Sequence, residues 1–133
     1  MTARRQAAIL SLFLLGGLGF AESATAQDSP REVRAEAINA LAKGDYENAL
    51  PLLQQLVQWF SESKDEKMVV QMEPIFFSLG LSYYLTGQFG GAETAFQEYI
   101  KRYPANPRAA EAAVYIGDGH RYSQGLDKAL KQY

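Results

Sequence analysis

Few side chains in this chain of 133 residues could do chemistry, and their spacing limits what that chemistry could be. His120 is the single histidine and there is no cysteine, so a two-histidine metal site, a thiolate metal site and a thiol nucleophile are all excluded within one chain. A serine–histidine–carboxylate set would have to be built on His120, with Asp118 and Arg121 close by in sequence. On a helix, however, residues one or two positions apart point in different directions, so Asp118 is not expected to face His120. Glu62, Asp65 and Glu66 form an acidic cluster without the oxygen-ligand spacing of a calcium loop. Gly90-Gly91 lacks the following Lys-Ser or Lys-Thr of a phosphate loop. The residues predict no catalytic group, no metal and no cofactor.

Composition narrows the class further. The hydrophobic share is 47% and the charged share 21%, ordinary for a folded domain. Net charge is −2, which argues against nucleic acid as a partner. Arg4 and Arg5 precede an apolar run from Ala7 to Phe20, and small residues follow to Ala24-Thr25-Ala26. That three-part plan predicts a signal peptide over residues 1–26, cleaved near Ala26, and a mature chain that is periplasmic or secreted. The run is about 14 residues, short of the roughly 20 that span a bilayer, and no second such run follows, so no transmembrane segment is expected in the mature chain.

The elements that must position the remaining side chains read as helices throughout. Ser29-Pro30-Arg31-Glu32 predicts a helix start and Gly44 its stop; Asp45 caps a second helix whose apolar stripe runs from Tyr46 to Phe60 despite Pro51. Residues 61–67 are polar and predict a loop. A third helix occupies the apolar stretch from Met68 to Tyr84, with Pro74 as a start or an internal kink, and Gly87 ends it. A fourth spans about Phe89 to Tyr103, and a fifth starts at Pro107 under an Asn106 cap and ends near Ser123. Gly125 then separates a short last segment, Leu126 to Tyr133. No strand alternation is present.

An internal repeat organises these helices. Gly80 and Ala92 lie twelve residues apart, Gly117 and Ala129 repeat that spacing 37 residues later, and Ala37 and Ala49 repeat it 43 residues earlier. Small residues so placed predict close contacts between paired antiparallel helices. Each pair leaves an apolar face for the next pair to cover.

In the middle unit, Leu79-Gly80-Leu81-Ser82-Tyr83, Gly87, Phe89, Ala92, Phe96 and Pro104 follow in order and spacing. The sequence there resembles the tetratricopeptide repeat. The third unit matches through Ile116, Gly117, Leu126, Ala129 and Tyr133, with His120 in place of the signature Tyr. The first matches through Ala37, Gly44, Tyr46, Ala49 and Leu53, with Glu36 and Ala40 departing from the pattern. The resemblance covers about residues 30–133 of a domain expected over 27–133, in units of about 30–63, 73–106 and 110–133, the last incomplete. It implies an all-α, right-handed superhelical stack of antiparallel helix hairpins, an α-solenoid of about 2.5 to 3 units. The longer unit with Tyr103-Pro104-Ala105-Asn106-Pro107 between repeats is similar to the repeats of bacterial envelope proteins, of the Tol-Pal coordinator and outer-membrane assembly kinds. The missing lipidation cysteine departs from the lipoproteins among them.

The resemblance implies a non-catalytic scaffold or adaptor that binds envelope proteins or peptides on its concave face. Carried over by position, that face comprises Arg34, Ile38 and Leu41, then Phe77, Leu81 and Tyr84, then Val114, Asp118, Arg121 and Tyr122. Self-association through the open C-terminal repeat face is a further expectation, since a short third hairpin leaves that face bare. Two alternatives stand beside this reading. One is an N-terminal accessory region of a longer exported enzyme. The other is a peptidoglycan- or glycan-binding protein using exposed tyrosines and Trp59, although Trp59 beside Phe60 is expected in the core.

Overall fold

A computed structural model describes residues 29–132; the signal peptide expected over 1–26 and Tyr133 lie outside the described residues. Five helices and no strand are found among them: α1 (Pro30–Ala42), α2 (Tyr46–Phe60), α3 (Glu66–Leu85), α4 (Phe89–Arg102) and α5 (Arg108–Gln132). α2 packs on α3, α3 on α4, and α4 on α5, with a lighter contact between α3 and α5. Neighbouring helices thus pack in succession, as a helical repeat stack requires.

Local chemistry explains most boundaries. Ser29 and Glu32 form a reciprocal capping box: the Ser29 amide donates to Glu32 Oε2 (3.1 Å) and the Glu32 amide to Ser29 Oγ (3.2 Å). α1 stops at Gly44, whose φ of 71° lets the Asp45 amide donate back to the Ala40 carbonyl at 2.9 Å. α3 ends the same way at Gly87, with φ 79°, and the Gln88 amide donates to the Tyr83 carbonyl at 2.8 Å. Asp45 Oδ1 accepts from the Asn48 amide, Asp65 Oδ1 from the Lys67 amide and Asn106 Oδ1 from the Arg108 amide, which caps α2, α3 and α5. Pro51 and Pro74 both lie inside helices. They sit on exposed faces, where water can take the place of the missing amide donor. Pro74 is therefore internal to α3, which begins eight residues before it at Glu66.

The core is continuous across the helices. Val33, Ala37, Ala49, Leu53, Leu56, Phe96, Tyr99 and Ala112 are almost wholly buried, and Met72, Ile75, Phe76 and Phe77 fill the α3 side. Polar ties lock the outer helices to it. The Arg102 guanidinium lies 4.6 Å from the Phe76 ring centroid, donates to the Ser61 carbonyl at 2.9 Å and pairs with Glu98 at 3.2 Å. One α4 side chain thereby supports the C-terminal end of α2 across the face of α3. The Tyr103 hydroxyl donates to the Val69 carbonyl at 2.7 Å, and burial raises the pKa of that phenol.

The sequence expectation fails at the last segment. α5 runs unbroken through Gly125 to Gln132, so residues 110–132 are one helix and not the start of a hairpin. The reason lies in the turn. At Gly87 the chain turns on a glycine of positive φ, and the residue 37 positions later is Gln124, with the glycine displaced by one to Gly125. A glutamine in the left-handed region costs about 1–2 kcal/mol, whereas a glycine inside a helix costs about 1 kcal/mol. Continuing the helix is the cheaper solution here. Gly117 and Ala129 therefore share one helix and cannot meet, which corrects the expected packing pair.

At Gly80 the close contact with α4 exists. A Cβ there would lie 2.6 Å from the Phe96 ring, one turn beyond Ala92. Gly91 accommodates the Tyr83 ring in the same manner. Gly117 has no such neighbour among the described residues: a Cβ would meet none of them within 4 Å. Ala37, Ala49 and Ala92 are buried.

Candidate partner-binding face

The end of α3, the start of α4 and the middle of α5 converge on a cluster of aromatic rings. Tyr84 meets Phe89 at 5.5 Å, Tyr115 at 4.8 Å and Tyr122 at 6.4 Å, all edge-on, while Tyr122 stacks on Phe89 at 5.7 Å with an interplanar angle of 16°. Gly119 is buried against Phe89, where a Cβ would sit in ordinary contact at 3.5 Å. Burial among these rings, with Tyr122 and Tyr115 close, raises the Tyr84 pKa and keeps its phenol neutral. Tyr122 is held by the stack yet remains 61% exposed.

Charges border the rings. Arg121 is paired with Asp118 one turn earlier on α5. His120 Nε2 lies 3.3 Å from Glu93 Oε1 on α4, an ion pair when the imidazole is protonated. Asp118 is thus occupied by Arg121, and His120 looks toward a different helix. Among the described residues no three metal-ligating side chains gather in one place.

A second polar group lies inside the stack. The Tyr99 hydroxyl donates to Glu73 Oε2 at 2.5 Å, and Arg108 approaches the same oxygen at 3.7 Å. Burial first, then the hydrogen bond to Glu73 and its charge, pushes the Tyr99 pKa up, so this phenol remains a donor. The Arg108 guanidinium also sits 4.7 Å from the Phe77 ring centroid. These contacts tie α5 to α3 and α4.

The expected face is only partly assembled. Tyr84, Asp118, Arg121 and Tyr122 come together at the aromatic cluster. Leu81 is half-buried and Val114 is 61% exposed. Arg34 and Ile38 are exposed on α1, and Leu41 is half-buried there. Phe77 is a correction: it is 5% exposed, enclosed by Phe96, Tyr99 and Tyr115 and covered by Arg108, so it belongs to the core and not to a binding surface. Trp59, expected in the core, is 39% exposed. Phe89, Tyr115 and Glu93 complete the cluster and were not anticipated as site residues. Phe89 carried a signal, an aromatic directly after the turn, but that position reads equally well as helix packing.

α3 and α4 are joined at a positive-φ glycine and interlock at Gly80 and Gly91. Residues 75–106 match the tetratricopeptide repeat family. The chain matches no curated protein and no solved structure. The matched stretch holds both members of each small-for-large contact, Gly80 with Phe96 and Tyr83 with Gly91, and ends after the Tyr103-Pro104 turn. A tetratricopeptide repeat suggests a scaffold for protein–protein interaction, and such repeats are generally non-catalytic. No helix among the described residues is long and apolar enough to cross a membrane.

Proposed function

We propose that this protein is a non-catalytic scaffold exported to the bacterial cell envelope, where it holds partner proteins or peptides on the face built by Tyr84, Phe89, Arg121 and Tyr122. The observation that carries the reading is Tyr122, a tyrosine stacked on Phe89 yet 61% exposed. A ring already immobilised in the free protein loses little entropy when a partner covers it, and tyrosine and arginine supply much of the energy at protein interfaces. Arg121 beside it offers a planar fork for a carboxylate or a backbone carbonyl. The export half of the proposal draws on the Arg4-Arg5 start, the apolar run and the small residues to Ala26.

Each half has its own test. Expression of the full chain in a bacterium with a Sec pathway should give a processed protein whose N-terminal residue is Gln27. Retention of Met1 in a cytoplasmic fraction would remove the envelope from the proposal. For the binding half, a photo-crosslinking amino acid at Val114 should capture a discrete partner in the native host, identified by mass spectrometry. Adding Tyr122→Ala should then weaken that partner's affinity by roughly thirtyfold, the size of a central aromatic contact. An affinity unchanged by both Tyr122→Ala and Arg121→Ala would exclude this face.

A further inference from the structure

The part of α5 that its neighbours hold ends at Tyr122. Up to that point Gly119 rests on Phe89, His120 on Glu93 and Tyr122 on Phe89. From Gln124 to Gln132 every residue is exposed, including Leu126 at 60% and Leu130 at 64%. A helical extension with no tertiary partner among the described residues and a glycine within it is marginal in water.

The same helix carries an uncovered surface of matching period. Gly117 lies two residues from Gly119, hence on nearly the opposite side of the helix from α4, and a Cβ at Gly117 would meet nothing within 4 Å. Val114, one turn earlier on that side, is 61% exposed. In the middle unit the equivalent surface is filled by the chain's own next helix: Phe77 contacts Phe96 at 5.4 Å, Phe96 covers Gly80, and Tyr84 contacts Phe89 at 5.5 Å. Shifted by the repeat of 37 residues, Phe77 becomes Val114, Gly80 becomes Gly117, Tyr84 becomes Arg121 and Phe89 becomes Leu126. On an unbroken helix Leu126 and Gly117 point in opposite directions, so neither can satisfy the other.

From this we infer that α5 is a two-state element: a hinge at Gln124-Gly125 lets the segment beginning at Leu126 fold back onto the Val114–Gly117 face as the second helix of a third hairpin. The occupant of the face is the chain's own segment, placed by the register that the middle unit obeys. The balance between the states is set at the hinge. The straight state keeps Gly125 inside a helix, and the closed state needs a positive φ next to it, where the middle unit has Gly87 and this unit has Gln124. These two penalties are similar in size, so neither state is strongly excluded. Closure buries Leu126 and Val114 and covers Arg121, which makes the segment a gate over that side of α5. The inference stands independently of whether a partner binds there.

The hinge residues give variants of opposite sign. Because the native chain has no cysteine, Glu111→Cys with Lys131→Cys places two spin labels on exposed positions without background labelling. Along a straight helix the two positions are about 30 Å apart. In the closed hairpin they are neighbours across a helix pair, about 15 Å apart including the label arms. Pulsed dipolar spectroscopy on the dilute full chain should show both distances. Gln124→Gly should raise the short-to-long ratio on the order of tenfold by removing the left-handed penalty, and Gly125→Ala should lower it roughly fivefold by stiffening the helix. A distribution that stays near 30 Å even in Gln124→Gly overturns the inference, as does a short distance that responds to neither substitution.

Discussion

Replacing Phe96 with alanine should destabilise the protein by about 3–5 kcal/mol, the range for a fully buried phenylalanine whose site cannot collapse. Phe96 is 0% exposed and is the ring on which three helices converge. From α4 it covers Gly80 of α3, meets Phe77 of α3 edge-on at 5.4 Å and stacks on Tyr115 of α5 at 5.3 Å with planes 6° apart. Relaxation into the resulting cavity is blocked on each side. Gly80 has no side chain to advance. Phe77 is held by Tyr99 and the Arg108 guanidinium, and Tyr115 is held by Tyr84. The loss is a large fraction of the 5–15 kcal/mol that domains commonly have, so urea unfolding followed by circular dichroism should show a much earlier midpoint with an unchanged slope. Phe96→Leu retains most of the apolar volume and should lose roughly half as much. A loss below about 1 kcal/mol for Phe96→Ala would mean that the three helices do not share this contact.

What could be read from the sequence was mostly short-range. The capping box at Ser29 and Glu32, the Asp45 cap and the stops at Gly44 and Gly87 each depend on residues within five positions of one another, so their chemistry is legible in a short window. The small residues of the middle unit were also legible as close contacts, because a glycine inside an apolar helix needs a packing reason. How tightly Phe96 presses on Gly80 was not, since that depends on how far α4 slides along α3. Phe77 was misplaced for a related cause. Position within a repeat gives a direction from the helix, but the cover on Phe77 comes from Arg108, 31 residues away on another element. The aromatic cluster was half legible: Tyr84 and Tyr122 stood out, while Phe89 and Tyr115 were hidden among residues that read as packing. The continuity of α5 turned on the difference between a penalty of about 1–2 kcal/mol and one of about 1 kcal/mol, which a spacing pattern cannot resolve.

The two glycines that look alike in the sequence should respond in opposite directions to one substitution. Gly80→Leu should cost about 3 kcal/mol, the upper part of the range for forcing bulk into a packed core, whereas Gly117→Leu should stabilise by up to about 1 kcal/mol. Both positions are helical, so both gain the propensity of leucine over glycine, about 0.8 kcal/mol. At Gly80 that gain is overwhelmed, because the first added carbon already lies 2.6 Å from the ring carbons of a buried Phe96 that is clamped between Phe77 and Tyr115. At Gly117 none of the described residues lies within 4 Å, and the gain is kept in the straight form of α5. A double-mutant cycle sharpens the argument: in Gly80→Leu with Phe96→Ala the new side chain enters the space the ring vacated. The pair should therefore be at least 2 kcal/mol more stable than the sum of its single effects predicts, a coupling expected only between groups in direct contact. Additive losses in urea unfolding would place Gly80 and Phe96 apart and dissolve the α3–α4 contact on which the repeat is built.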